Sequence, residues 1–342
     1  MAVRLGKTVI LESQPTIVYN ASSVGKKEGE GPLSQYFDAV YSDAMMGEDS
    51  WEKAESILLK NTVEDLIKKS DKEKKDIGCI FSGDLLNQCT GSAFAFSEIG
   101  IPFCGLYGAC STMALSIVSG SLAIESGGLS SCICATSSHF CSSEKQFRMP
   151  LEYGGQRTPT AQWTVTGSGA LLLESDSHSE NPYIDKIHIG TICDLGVTDA
   201  TNMGAAMAPA AAKTIADFLS DTSTSPDDYD LILTGDLGSV GSELLKELLL
   251  KENGIDISHN HNDCGLMIFD REKQDVHAGG SGCGCSASVL CSYVLGSMRK
   301  GELANILFVA TGALMSSVSS LQGRSIPGIA HLVNIRMRGG EQ

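Results

Sequence analysis

One order of elements occurs twice along the 342 residues, and this repeat constrains the fold more than any other feature. In the first half, apolar positions at helical spacing predict a helix over Trp51–Lys69, with Ala54, Ile57, Leu58, Val63, Leu66 and Ile67 on one face. A buried strand at Ile77–Phe81, the turn Ser82-Gly83-Asp84 and a helix over Gly91–Ile99 follow. A strand at Pro102–Leu106 then runs into Gly108-Ala109-Cys110-Ser111, which opens a helix carrying Met113, Ala114, Ile117, Val118 and Leu122. Gly127-Gly128 ends that helix, and strands are expected at Ser131–Thr136 and Thr164–Leu173. The second half replays the order: helix Asn202–Leu219, strand Asp230–Leu233, turn Thr234-Gly235-Asp236, helix Ser239–Glu252, strand Leu266–Phe269, turn Gly279–Gly284, helix Cys285–Met298 and strand Asn305–Thr311.

Alternating strands and helices imply an α/β fold with largely parallel sheets covered on both faces. Two pseudo-repeated halves, residues 1–178 and 179–342, would face each other and trap helices between them. A trapped helix must let neighbours approach on every side, which accounts for its Ala, Ser and Gly. A hydrophobic content of 42% supports a sizeable core. The net charge of −16 argues against nucleic acid, and against attachment to anionic lipid through charge alone. The twelve Cys are scattered through apolar stretches without a Cys-x-x-Cys pair, so they read as small buried thiols and not as a disulfide framework. The opening MAVRLGKTVILE lacks the apolar stretch of a signal peptide. The longest apolar tract, Ala114–Ile124, is interrupted by Ser116, Ser119, Gly120 and Ser121 and is too short for a spanning helix.

Cys110 is the leading functional candidate. At the junction of a strand and a helix N-terminus, unpaired N–H groups and the helix dipole favour a thiolate or a bound carboxylate. The segment resembles the nucleophile turn of the thiolase and β-ketoacyl synthase superfamily. Trp163–Leu173 is similar to that superfamily's Gly-x-Gly-Ala strand, and Gly280–Ser288 to its Gly-Asn-Thr-Ser-Ala-Ala-Ser turn. The resemblance covers nearly the whole chain and implies the five-layer αβαβα thiolase fold and a homodimer. It also implies a departure. The positions of the synthase His and Asn fall on Gly235 and Cys283, leaving Cys110 as a vestigial nucleophile without its oxyanion and base partners. The expectation is therefore a protein that is not an enzyme.

More narrowly, Leu151–Gly167, with Ser137–Cys141 before it, resembles a sporulation branch of that superfamily in endospore formers. This resemblance implies binding of dipicolinic acid (pyridine-2,6-dicarboxylic acid) for uptake into the developing spore and release in germination. The expected setting is peripheral, on the spore inner membrane and cytoplasmic in origin, beside integral membrane proteins of the same transport system. The candidate ligand contacts are Cys110, Asp84, His139, Arg148, Arg157, Asp236, His277 and Cys283. Helix dipole and basic side chains would meet the carboxylates, and Asp84 or Asp236 would touch Ca²⁺ arriving as the ligand's chelate. No resident metal or other cofactor is expected. His277, just before the glycine turn, is placed to face Cys110. Two alternatives stand beside this reading: an active β-ketoacyl synthase III-like acyltransferase using Cys110 and His277, and a scaffold for a membrane channel. His259–Cys264 lacks closed-site metal spacing and reads as a solvated loop. The lysines of Lys68–Lys75 read as a solvated helix end.

Overall fold

The computed structural model describes residues 2–147, 157–175 and 180–338. Each half contributes five adjacent strands. In the first half the order is Thr16–Gly25, Gly167–Glu174, Ser131–Ser138, Cys79–Gly83, Phe103–Gly105; in the second it is Tyr183–His188, Gly328–Arg336, Asn305–Ala313, Leu231–Thr234, His261–Asp263. In both sets the first two junctions are antiparallel and the last two parallel. The repeat read in the sequence is thus a repeat of topology. The sets meet at a single pair, Tyr183 opposite Thr16. The expected boundary between residues 178 and 179 falls on a stretch outside the described residues.

Two expectations are corrected. The sheets are mixed, not largely parallel: Gly167–Glu174 is buried along its whole length, and such a strand looks the same in sequence whichever way its neighbour runs. Leu266–Phe269 is not a strand. Cys264–Met267 is a short helix whose first turn is held by the Asp263 carboxylate accepting from the Gly265 N–H. The strand is His261–Asp263, part of the segment read as a solvated loop. Its polarity is misleading because Asp263 is buried, accepting from the Thr234 hydroxyl and from the N–H groups of Leu237 and Gly238.

The helices that position the site follow their sequence patterns. Trp51–Lys69 starts where the Ser50 hydroxyl accepts from the Lys53 N–H, and buries Ala54, Leu58, Leu59, Val63 and Leu66. Thr112–Glu125 lies between strands of both halves, with Met113, Ala114, Ile117 and Val118 buried. Its counterpart, Cys283–Val289, continues through Leu290–Val294 to Arg299 and packs on the first half's sheet. There the contact is backbone on backbone. A Cβ at Gly284 would sit 2.2 Å from the Gly167 carbonyl oxygen, which is why a small residue is required. All twelve cysteines are free thiols.

Candidate functional site

Strand Phe103–Gly105 leads into a turn that sets the direction of Cys110. Ala109 adopts φ +50°, a conformation that costs a residue with a Cβ about 1 kcal/mol or more. The turn is held by the Ser111 hydroxyl donating to the Gly108 carbonyl at 2.6 Å and the Thr112 hydroxyl donating to the Ala109 carbonyl at 2.6 Å. From the second half Gly312 presses on the same turn, since a Cβ there would lie 2.4 Å from the Gly108 carbonyl oxygen. Cys110 is therefore fixed where the halves meet, buried against Leu85, Cys283 and Phe147.

A cavity of about 30 Å³ opens beside the thiol. Its walls are mostly apolar (Leu85, Tyr107, Phe147, Met203, Ala313, Met315), with Ser143, Thr164 and Ser281 as the polar members. No Lys, Arg or His is among its described lining residues.

Asp236 is a hydrogen-bonding neighbour of the thiol. It is fully buried, accepts from the Gly282 N–H at 2.8 Å and the Thr311 hydroxyl at 2.9 Å, and its own carbonyl accepts from the Gln162 amide. Burial pushes its carboxyl up to about 6 despite those donors. Burial, then the Asp236 carboxyl and the Cys283 thiol, push the Cys110 thiol far above its ordinary value. Water exclusion and a neighbouring acid thus oppose the thiolate that the helix start would favour.

The other candidates disperse. Cys283 touches Cys110 and donates its S–H to the Ser137 carbonyl at 3.0 Å. Asp84 is buried, but its oxygens accept from the Leu86 and Ser92 N–H groups and the Ser92 hydroxyl, so it closes a local turn. Neither Asp84 nor Asp236 is among the described lining residues of the cavity. His139 is buried with both ring nitrogens engaged, Nε2 with the Ala44 carbonyl and Nδ1 accepting from the Cys141 N–H; burial lowers its pKa. His277 does not face Cys110: it is half-buried, pairs with Asp275 at 3.2 Å and lies outside the cavity wall. Its backbone adopts φ +51°. Arg157 pairs with Glu144 at 3.3 Å, donates to the Gln162 carbonyl and covers the stacked rings of Phe140 and Trp163. Arg148 and Leu151–Gln156 lie outside the described residues. Sequence reasoning missed Ser143, Tyr107, Met203 and Met315; only the position of Ser143, just after Ser137–Cys141, hinted at any of them.

Fold and nucleophile turn together define a thiolase-fold protein. The chain is similar to OleA from Xanthomonas campestris, solved with cerulenin (11% identity, TM-score 0.60, covering 94% of this chain and 96% of that one). It is also similar to human mitochondrial 3-ketoacyl-CoA thiolase solved with CoA (11%, 0.59, 96% and 99%), and to 3-oxoacyl-(acyl-carrier-protein) synthase III from Aquifex aeolicus VF5 (10%, 0.54, 94% and 99%). At these identities the likeness is one of fold. The family profile of stage V sporulation protein AD matches residues 6–336, and the Bacillus subtilis (strain 168) protein of that name is 42% identical over 339 residues, 98% of each chain. The chain belongs to the stage V sporulation protein AD family.

Proposed function

We propose that this sporulation protein is a non-catalytic member of the thiolase fold that binds dipicolinic acid for uptake into the developing spore and release in germination. The observation that carries the reading is the setting of Cys110: a buried thiol beside an acid, both of which push its pKa up, with no histidine on the described cavity wall. Acyl transfer needs a thiolate and an oxyanion partner, each commonly worth about a hundredfold or more in rate, and a cavity kept without them suits holding a molecule.

The charge of the site selects the form of the ligand. With no cation on the described wall and Asp236 beside the thiol, a free dianion is opposed, whereas the neutral calcium chelate is not; calcium then arrives with the ligand and not as a resident metal. The cavity is narrow, and in this reading Phe147, Met203 and Met315 on its wall adjust around the bound ring. The two Met side chains, with three rotatable bonds each, suit that movement. No described helix is long and apolar enough to cross a membrane, so movement across the spore inner membrane falls to integral partners in this reading. A homodimer is supported by strand Phe103–Gly105, which ends the sheet with all three residues exposed, near the exposed Phe94 and Tyr107.

Calorimetric titration with dipicolinate, with and without Ca²⁺, tests the reading: saturable binding that strengthens with Ca²⁺ is expected. No binding in either arm, or steady turnover of an acyl-CoA through an acylated Cys110, overturns it. The turnover result would favour the acyltransferase alternative.

A further inference from the structure

We propose that the Ser143 hydroxyl is the anchor for one carboxyl group of the ligand, donating a hydrogen bond to a carboxyl oxygen seated in the cavity beside Cys110. The inference rests on the binding reading above and adds the contact that would give it specificity for a carboxylic acid.

Ser143 sits in helix Phe140–Phe147, is 2% exposed, and uses its N–H on the His139 carbonyl at 3.1 Å. Ser143 lines the cavity, and its buried hydroxyl has no hydrogen-bond partner among the described residues. Burying a hydroxyl in that state costs about 1–3 kcal/mol, and folded proteins keep few such groups. The adjacent Ser142 shows the contrast, since its hydroxyl donates to the buried Glu55 carboxyl at 2.5 Å. The other two aliphatic hydroxyls on the wall are also committed: Thr164 donates to Glu144 at 3.1 Å and Ser281 bonds to Asp236. Ser143 is thus the one of these three left free for an incoming acceptor.

The size of the space agrees. About 30 Å³ is room for roughly two water molecules, so a polar group as small as a carboxyl can reach this wall. A carboxyl neutralised by its proton or by chelated Ca²⁺ needs a neutral donor more than a cation, and a serine O–H supplies one without adding charge next to Asp236.

Ser143→Ala and Ser142→Ala separate the roles. Dipicolinate, with and without Ca²⁺, is titrated into wild type and both variants, and thermal unfolding is recorded without ligand. Ser143→Ala is expected to weaken binding about tenfold while Tm holds or rises, because an unpartnered hydroxyl has been removed. Ser142→Ala is expected to lower Tm and leave affinity within about twofold, since its partner is internal. Wild-type affinity in Ser143→Ala overturns the anchor and leaves the binding reading standing, as a cavity holding only water would give. A fall in both affinity and Tm for Ser143→Ala makes the hydroxyl structural and also overturns it. No binding by wild type removes the reading and the anchor together.

Discussion

Ser82-Gly83-Asp84 and Thr234-Gly235-Asp236 end equivalent strands, and each places a buried carboxylate just beyond the sheet. Asp84 answers donors of its own loop, within eight residues of chain. Asp236 answers the Gly282 N–H and the Thr311 hydroxyl, more than forty residues away, and lies against Cys110 of the opposite half. The glycines differ as well. A Cβ at Gly83 would meet the Leu106 carbonyl oxygen at 1.8 Å, whereas at Gly235 the nearest atoms, Ala310 Cα and Thr311 N, lie at 3.1 Å. One turn is a packing device; the other is a staple between halves with some room beside it. A duplicated motif keeps its backbone chemistry and can redirect its side chain.

The largest expected effect separates the two glycines. Gly83→Ala drives a methyl group into a carbonyl that the sheet holds in place, and should cost at least about 3 kcal/mol. Gly235→Ala asks its neighbours to give by only a few tenths of an ångström, and should cost about 1 kcal/mol or less. Equal losses in denaturant unfolding would break the distinction.

Next come the carboxylates. Asp236→Asn removes the negative charge facing the sulfur, and alkylation of Cys110 by iodoacetamide at pH 8 should speed up about tenfold, one pKa unit. Asp84→Asn should destabilise the protein but leave that rate unchanged. If both variants react alike, Asp236 has no special hold on the thiol.

These contrasts mark where the sequence was legible. The paired turns were visible because tight backbone approaches require glycine and because a carboxylate after it recurs at the same place. The direction of a side chain was not. His277 precedes a glycine turn as a site residue would, but it pairs with Asp275 and is not among the lining residues of the cavity. Cys110 was found by its place at a helix start, while its protonation depends on Asp236, 126 positions away, which only the fold brings near. His261–Asp263 read as loop because its buried acid is satisfied by donors from other segments. Ser143 carried little signal beyond its place just after Ser137–Cys141: a serine among serines becomes notable only when its neighbour has a partner and it does not.

A smaller effect compares buried acids with exposed ones across pH. Burial raises Glu28 to about 7 and Glu55 to about 8 from an ordinary 4.5. Their folded values lie above the unfolded ones, so their contribution is full below about pH 4.5 and is lost as pH rises through 7 to 8. The melting temperature should fall between pH 6 and pH 8.5, and Glu55→Gln should recover about 3 °C of that fall while changing little at pH 6. Parallel curves for wild type and variant would show that Glu55 does not titrate in this window.

Two histidines make the last contrast, and the smallest expected effect of all is that of His277. His139 is sealed in the core with both nitrogens engaged, so His139→Ala leaves the Ala44 carbonyl and the Cys141 N–H without partners and should cost about 2 kcal/mol. His277 is half-buried and paired with the exposed Asp275, a contact of the kind worth about 0–1 kcal/mol. His277→Ala should therefore leave unfolding within about 0.5 kcal/mol of wild type, and leave dipicolinate affinity and Cys110 alkylation unchanged. A fall in Cys110 alkylation with His277→Ala would mean that the loop carries this imidazole to the thiol in solution. In that case the second half would supply a base through the glycine turn after all, and the contrast between a packing turn and a stapling turn would have to include a third, mobile element.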